Sequence, residues 1–507
     1  MNRLDKIISW FSPEAGLRRT RARMIQDVVR ENQASRKYEG ASMGRRTEGW
    51  RTTGSSANAE VINSLDMLRA RHRALVRDNP YAASAVRVIA HNMIGGGLTP
   101  HFKGVSNQQT QRLESLAVDH LDTTAIDADG MHDLYGLQNL WAKTVAESGS
   151  VLVRRRSRRS SDGLPLPFQL QTLEPDFLDR TRDGPLRNGG RIVGGKEYDP
   201  LGRLAAFWLY PEHPGEVLRL RGFTSSRVDA ANVAHIYRVD RPGQVDGVPW
   251  GAPVIIRLRD FDEYEDAQLM RQKIAAAFAV FVVDNEFAPQ QMTGPDGVKS
   301  DNPLVDKIEP AMIEYIGQGR DVKFAAPPGV DGYSEYSSVN LHAVAAGYGI
   351  PFEALAMNYS EVNFSSGRMG WLEFQRNLDA WRLQMMIPMG CQRVAAWFLE
   401  TAEISGTRTA GASVKWGVPR REMIDPTKEV KAIKDKIRSG QTTISGMLRA
   451  EGVDPRRHLE EYRDDMLLLD DLGLTLDSDP RKTTGNGSSV STSQDTTNET
   501  TDPQEDS

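Results

Sequence analysis

The sequence predicts a multi-domain α+β protein in which long helices flank a β-rich block. Three observations carry this expectation. The residues Trp371, Phe374, Leu378, Trp381, Met385, Pro388, Cys391, Ala395, Phe398 and Ala402 recur at steps of three and four, the period of one helix face. The runs VLVRRR, FQLQTL, GRLAAFWLY, GEVLRL and VAHIYRV are short, rich in β-formers and separated by turns such as SSDGLP, DPLG and PEHPG. A chain of 507 residues is also longer than one hydrophobic core commonly organises.

Taken in order, residues 1–58 open with Leu4, Ile7, Ile8 and Phe11, then turn Arg-rich in LRRTRAR and GRRTEGWRTTGSS. They read as a flexible basic arm, a solvated extension that orders on assembly. From Ala59 to Met93 two helices meet at DNPYA, where Pro80 suits the first helical position and Asp78 or Asn79 the cap. The triplet Gly95 to Gly97 stops the second helix and leads into a strand. Helices follow at about 107–122 and 131–147, then the β-rich stretch. Arg154 to Arg156, with Arg158 and Arg159, form a charged hairpin end.

The Pro/Gly-dense segment RPGQVDGVPWGAP, 241–253, closes that region. Pro253 can start a helix running to about Val283, with Val254, Leu258 and Phe261 on one stripe, an acidic middle DFDEYED, and KIAAAFAVFVV apolar on nearly every face. A segment apolar all round must be buried all round. Packing between subunits supplies that burial, which makes Ile274, Ala276, Phe278 and Phe281 candidate interface residues. Residues 284–338 read as a small proline-rich, strand-like module, and 339–356 as a second helix. The polar stretch to residue 366 reads as a loop, and 367–403 as a long helix kinked at Pro388, whose Trp371 and Trp381 need a deep partner and join the candidate interface residues. A strand and three helical segments fill 404–476, and the tail 477–507, nearly devoid of apolar residues, reads as disordered.

Net charge −5 argues against a general nucleic-acid coat, which gains its affinity from many Lys and Arg contacts to phosphate. The lone Cys391 excludes an intrachain disulfide or a multi-cysteine metal site and lies on the apolar stripe, as a core thiol does. The N-terminal segment has no signal-peptide pattern, and the longest apolar run, Ile274 to Val283, is about half a membrane span. GRIVGGKE, 190–197, has the spacing of a phosphate-binding loop but places Glu197 where Ser or Thr must hold magnesium. In the acidic run Asp260, Asp262, Glu263, Glu265 and Asp266, only Asp262 and Asp266 share a face at i, i+4. The chain has no HExxH or GxSxG motif. No catalytic, cofactor or metal site is expected.

The run HAVAAGYGIPFEALAMNYSEVNFSSGRMGWLEFQR, together with RPGQVDGVPWGAP and IDPTKE in that family's order, resembles the lambda-type phage portal, or head-to-tail connector, proteins. The resemblance implies a homo-oligomeric ring of twelve copies at one capsid vertex of the virion, assembled in the host cytoplasm. Double-stranded DNA passes through it, and the terminase large subunit, a head-tail adaptor and capsid or scaffold protein are its partners. It further implies a wing at 59–250, stem helices at 251–283 and 339–356, a clip at 284–338, a channel loop at 357–366 and a crown at 404–476. In the loop, Asn358, Tyr359, Ser360, Glu361, Val362 and Asn363 face DNA. The alternatives are a metal-dependent DNA-processing enzyme using the acidic helix 260–266, and a scaffold with no DNA role.

Overall fold

The computed structural model describes residues 54–217, 224–277, 281–284, 320–323, 332–360 and 362–419, then 425–481 with gaps at single positions and at 477–478, besides scattered positions from 14 to 49. Nearly all of the expected basic arm and of the C-terminal tail therefore lies outside the described residues. So does most of 284–338. Met1–Ala59 and Glu60–Ser507 are separate compact units, and the second carries the architecture.

Helices α1 (Leu65–Asp78) and α2 (Pro80–Ile94) are divided at Asn79. Its side-chain oxygen accepts hydrogen bonds from the Tyr81 and Ala82 amides, both at 3.0 Å, and Pro80 occupies the first helical position. Gly95 ends α2, and the chain enters strand β1 (Thr99–Lys103). Helices α3 (Asn107–His120) and α4 (Leu134–Ser148) follow, capped by Ser106 and Asp133.

The β-rich block forms two antiparallel sheets. Strands β2 (Ser150–Ser157), β3 (Phe168–Leu173) and β9 (Val233–Tyr237) pair in the order β3-β2-β9. Between them in sequence, β4 (Gly184–Pro185), β5 (Arg191–Val193), β6 (Lys196–Tyr198), β7 (Leu204–Leu209) and β8 (Ser226–Asp229) form a five-stranded meander. Of GEVLRL, expected as a strand, Gly215 to Val217 follow a turn closed by the Glu216 amide on the His213 carbonyl and are not strand, and 218–220 lie outside the described residues.

Helix α5 spans Ile255–Ala277, shorter than the expected run to Val283. Phe281–Asp284 is instead strand β10, paired antiparallel with β11 (Arg320–Lys323). An uninterrupted apolar run has no helical period to hold it, and Phe281, Val282 and Val283 favour extended backbone.

The segment expected as one second helix is two, α6 (Tyr333–Tyr348) and α7 (Phe352–Ala356), broken by Gly349 in the left-handed region and Pro351. The long stripe forms α8 (Phe364–Trp381), a π-helical stretch Arg382–Cys391 and α9 (Gln392–Ile404). Pro388 lies inside the π-helical stretch, so the missing amide is absorbed by wide turns without breaking the rod.

Strand β12 (Ser413–Gly417) returns to pair with β1, Thr99 opposite Gly417 and Lys103 opposite Ser413. Helices α10 (Pro426–Arg438), α11 (Ile444–Ala450) and α12 (Pro455–Asp471) complete the described chain. One buried cluster takes Ile89 and Met93 from α2, Trp141 from α4, Ile236 from β9, Leu258 from α5 and Phe398 from α9. A second buried cluster, with Leu152, Leu173, Phe207, Leu209 and Val228, lies between the three-stranded sheet and the meander.

Candidate functional site

The loop between α7 and α8 is shorter than the polar composition of MNYSEVNFSSGR suggests. Asn363 caps α8: its side-chain oxygen accepts the Ser366 amide at 2.8 Å, while the Ser366 hydroxyl accepts the Asn363 amide at 3.2 Å. Phe364, Ser365 and Ser366, expected in the loop, therefore belong to the first helical turn. What remains is Met357 to Asn363.

Met357 opens the loop in the left-handed region, at φ 53°, the one non-glycine residue with positive φ among the described residues. Asn358 then accepts from the Ser360 amide at 3.1 Å and the Ser360 hydroxyl at 2.7 Å, closing a tight turn. Tyr359 projects outward, 62% exposed. Val362 is half-buried, and Gly367 lets it fold back, since a Cβ there would meet Val362 Cγ1 at 2.9 Å. Glu361 lies outside the described residues.

The frame beneath this loop is fixed by polar contacts from the long helix. Arg382, buried, donates to the Met93 carbonyl at 2.7 Å and the Asn92 carbonyl at 2.6 Å, placing a cation on the exposed C-terminal carbonyls of α2. Asn377 donates to the Gly349 carbonyl at 3.1 Å, holding the corner between α6 and α7. His342 stacks on Phe352 with ring centroids 3.8 Å apart. Between loop, α2 and α8 lies a cleft of about 300 Å³ lined by Val88, Asn92, Met357, Tyr359, Val362 and Trp371, among others.

The candidate interface residues divide into two groups. Trp371 and Trp381 pack half-buried against their own chain's core, Trp381 with its ring centroid 4.6 Å from that of Trp250 and Trp371 at 6.0 Å from Phe374. The side chains of Ile274, Ala276 and Phe281, and all of Phe278, lie outside the described residues.

A buried charge cluster, unforeseen from sequence, joins the 241–253 segment to both sheets. Asp246 accepts the Ser150 hydroxyl at 2.7 Å and the Arg69 guanidinium at 3.2 Å, with Lys196 Nζ at 3.6 Å, His235 Nε2 at 3.4 Å and Arg180 Nε at 3.7 Å. Burial opposes ionisation of Asp246, but the Lys196 ammonium, His235 and Arg180 hold its carboxyl far below the usual range. Burial pushes Lys196 down to about 8 against the pull of Asp246. Burial, with Lys196 nearby, pushes His235 down to about 4, so its imidazole is neutral at pH 7. The lysine of the GRIVGGK match is thus a structural ion-pair partner. Its one sequence signal was a lone carboxylate in a Gly/Pro-rich stretch, which composition alone reads as a surface turn.

Three of the acidic residues of α5 are engaged structurally. Asp262 accepts from Asn79 at 2.6 Å, Glu263 pairs with Arg259 at 3.0 Å, and Glu265 accepts from the Tyr333 hydroxyl at 2.9 Å. Among the described residues, the group of His and carboxylate side chains close enough to share a metal ion is Glu174, Asp176 and His213. Arg73 already bridges its two carboxylates.

The family model described as phage portal protein, lambda family, matches residues 43–382. A probable portal protein of Halomonas phage phiHAP-1 is 24% identical over 473 residues, covering 89% of this chain and 90% of that protein. Portal protein B of Escherichia phage lambda is 19% identical over 464 residues, covering 82% of this chain and 86% of that protein. Among solved structures, a chain from the neck of an empty gene-transfer-agent particle is similar at 15% identity and a TM-score of 0.45, covering 77% of this chain and 94% of that one. With the family model matching well over half of its length, the chain belongs to the lambda family of phage portal proteins.

Proposed function

We propose that the protein assembles as a ring, of twelve copies, at one vertex of a phage capsid and forms the conduit for DNA packaging and ejection. In this reading residues 59–250 form the outer wing, 251–283 and 339–356 the stem, 284–338 the clip that meets the terminase large subunit and later the head-tail adaptor, and 404–476 the crown. The ring is built in the host cytoplasm and carried in the virion. The loop Met357 to Asn363 borders the channel, with Asn358, Tyr359, Ser360, Glu361, Val362 and Asn363 toward DNA. Ile274, Ala276, Phe278 and Phe281 pack against a neighbouring subunit, as do the exposed parts of Trp371 and Trp381.

The observation that carries this reading is the reciprocal coverage of relatives named portal proteins, 89% against 90% and 82% against 86%. A borrowed module would match only part of one chain. The loop chemistry agrees with it: the described loop residues offer DNA hydroxyls, amides and an aromatic ring and no cation, so phosphate contacts there stay weak. Negative-stain images of the purified full chain test the assignment. Rings with a central hole are expected, and monomers or closed particles at assembly concentrations overturn it.

A further inference from the structure

The C-terminal helices carry apolar faces that their own chain leaves open. Helix α10 buries none of its residues, although Val430, Ile433 and Ile437 form a stripe along it and Val430 is 54% exposed. Helix α12 likewise buries none, and it packs beside α11. The groove between α11 and α12 is lined by Arg456, Leu459, Glu460 and Arg463. At about 100° per residue, Glu461, Asp465, Leu468 and Leu472 then lie on the opposite side of α12. Leu468 and Leu472 are 57% and 61% exposed.

The two open faces differ in charge. Helix α10 has five basic residues against two acidic ones, and α12 has three arginines against six carboxylates. Lys434 and Lys436 border the α10 stripe on its two sides, while Glu461 and Asp465 stand among the exposed leucines of α12. None of these four side chains has an ion-pair partner among the described residues. A basic apolar stripe and an acidic apolar patch on one chain have the form of a head-to-tail contact between copies. Such a contact uses two different surfaces and closes into a ring when the rotation permits.

We infer that α10 of one copy docks on the α12 face of the next copy in the ring. Val430, Ile433 and Ile437 cover Leu468 and Leu472, and Lys434 and Lys436 meet Glu461 and Asp465. The inference rests on the ring assignment and adds which surfaces meet and why the order around the ring is unidirectional. Charge sets partner and direction, and the apolar stripe supplies burial.

Two full-length variants test it: Lys434→Glu with Lys436→Glu, and Glu461→Lys with Asp465→Lys. All four positions are exposed, so each variant should keep the wild-type circular-dichroism spectrum. Each alone should lose ring yield by roughly tenfold, through like-charge juxtaposition at every contact. An equimolar mixture of the two should recover rings, because alternating copies restore every pairing. Recovery only when all four substitutions are in one chain would mean that α10 pairs with α12 of its own copy, which overturns the inference. Full ring yield from either variant alone also overturns it and leaves the ring standing. A wild-type protein that forms no ring removes the ring reading itself.

Discussion

The Tyr348 hydroxyl lies 2.7 Å from His72 Nε2, so the C-terminal end of α6 is tied to α1. The direction of this bond is fixed by the other ring nitrogen. His72 Nδ1 sits 2.6 Å from the Glu147 carbonyl, which only accepts, so Nδ1 carries the proton and Nε2 accepts from the tyrosine. Gly251 passes close by: a Cβ there would meet His72 Nε2 at 2.2 Å and the Tyr348 hydroxyl at 2.4 Å. Tyr348→Phe should therefore leave a buried acceptor unpaired, at a cost of about 1–3 kcal/mol. A denaturant midpoint equal to wild type would show that the bond contributes nothing.

The Asp246 cluster predicts an asymmetry between its members. Asp246→Asn leaves Arg69 and Lys196 buried without their shared counter-charge, and should destabilise by about 3–5 kcal/mol. Lys196→Met removes a cation that burial already disfavours, so its effect should be smaller. Urea unfolding of the two variants checks the order, which a larger loss in Lys196→Met would reverse.

Acid should destabilise the fold before carboxylates titrate. Burial pushes His120 and His235 down to about 4 and lowers His72 as well. The unfolded chain takes up these protons near pH 6.5, whereas the folded chain refuses those of His120 and His235 until about pH 4. Stability is thus fully present above pH 6.5 and declines as pH falls toward 4. Unfolding free energies at pH 7, 6 and 5 should decrease in that order, and a flat profile across this range would contradict the burial of neutral imidazoles.

Asn363→Ala removes the side-chain half of the α8 cap and should cost about 1 kcal/mol, with Asn363→Asp close to wild type. Limited proteolysis gives a second reading, since the alanine variant should be cut faster between Met357 and Ser366. Equal cutting of both variants would place the start of α8 under other control.

Glu361→Lys addresses the channel reading. It should leave assembly intact and reduce packaged or retained DNA per particle, because added lysines make salt-sensitive phosphate contacts. Wild-type filling at low and moderate salt would remove this loop from the DNA path.

Much of the local structure was legible in sequence because single residues decide it. Asn79 with Pro80 marked a helix start, and Gly95 a helix stop. Asn363 carried the same kind of signal, but the polar company of Ser365 and Ser366 disguised a capping box as loop. The fate of residues 281–284 was ambiguous for a physical reason: a run without polar residues has no face, so helix and strand are separated only by the partner strand at 320–323. At the candidate site, the role of Arg382 was hidden because its partners are the backbone carbonyls of Asn92 and Met93, a group that every residue carries. The Asp246 cluster was hidden because five chain segments far apart in sequence converge on one carboxylate.

The pairing of β1 with β12 also governs how the chain can be made. Lys103 cannot meet Ser413 until about 310 further residues have been translated, roughly 15–60 s at ordinary rates of synthesis. During that interval β1 lacks its strand partner, and Phe102 lacks the Phe398 ring that packs against it at a tilt with centroids 4.9 Å apart. The nascent N-terminal half therefore leaves the ribosome with an open strand edge and an uncovered aromatic side chain, an aggregation-prone intermediate that a holdase chaperone would recognise.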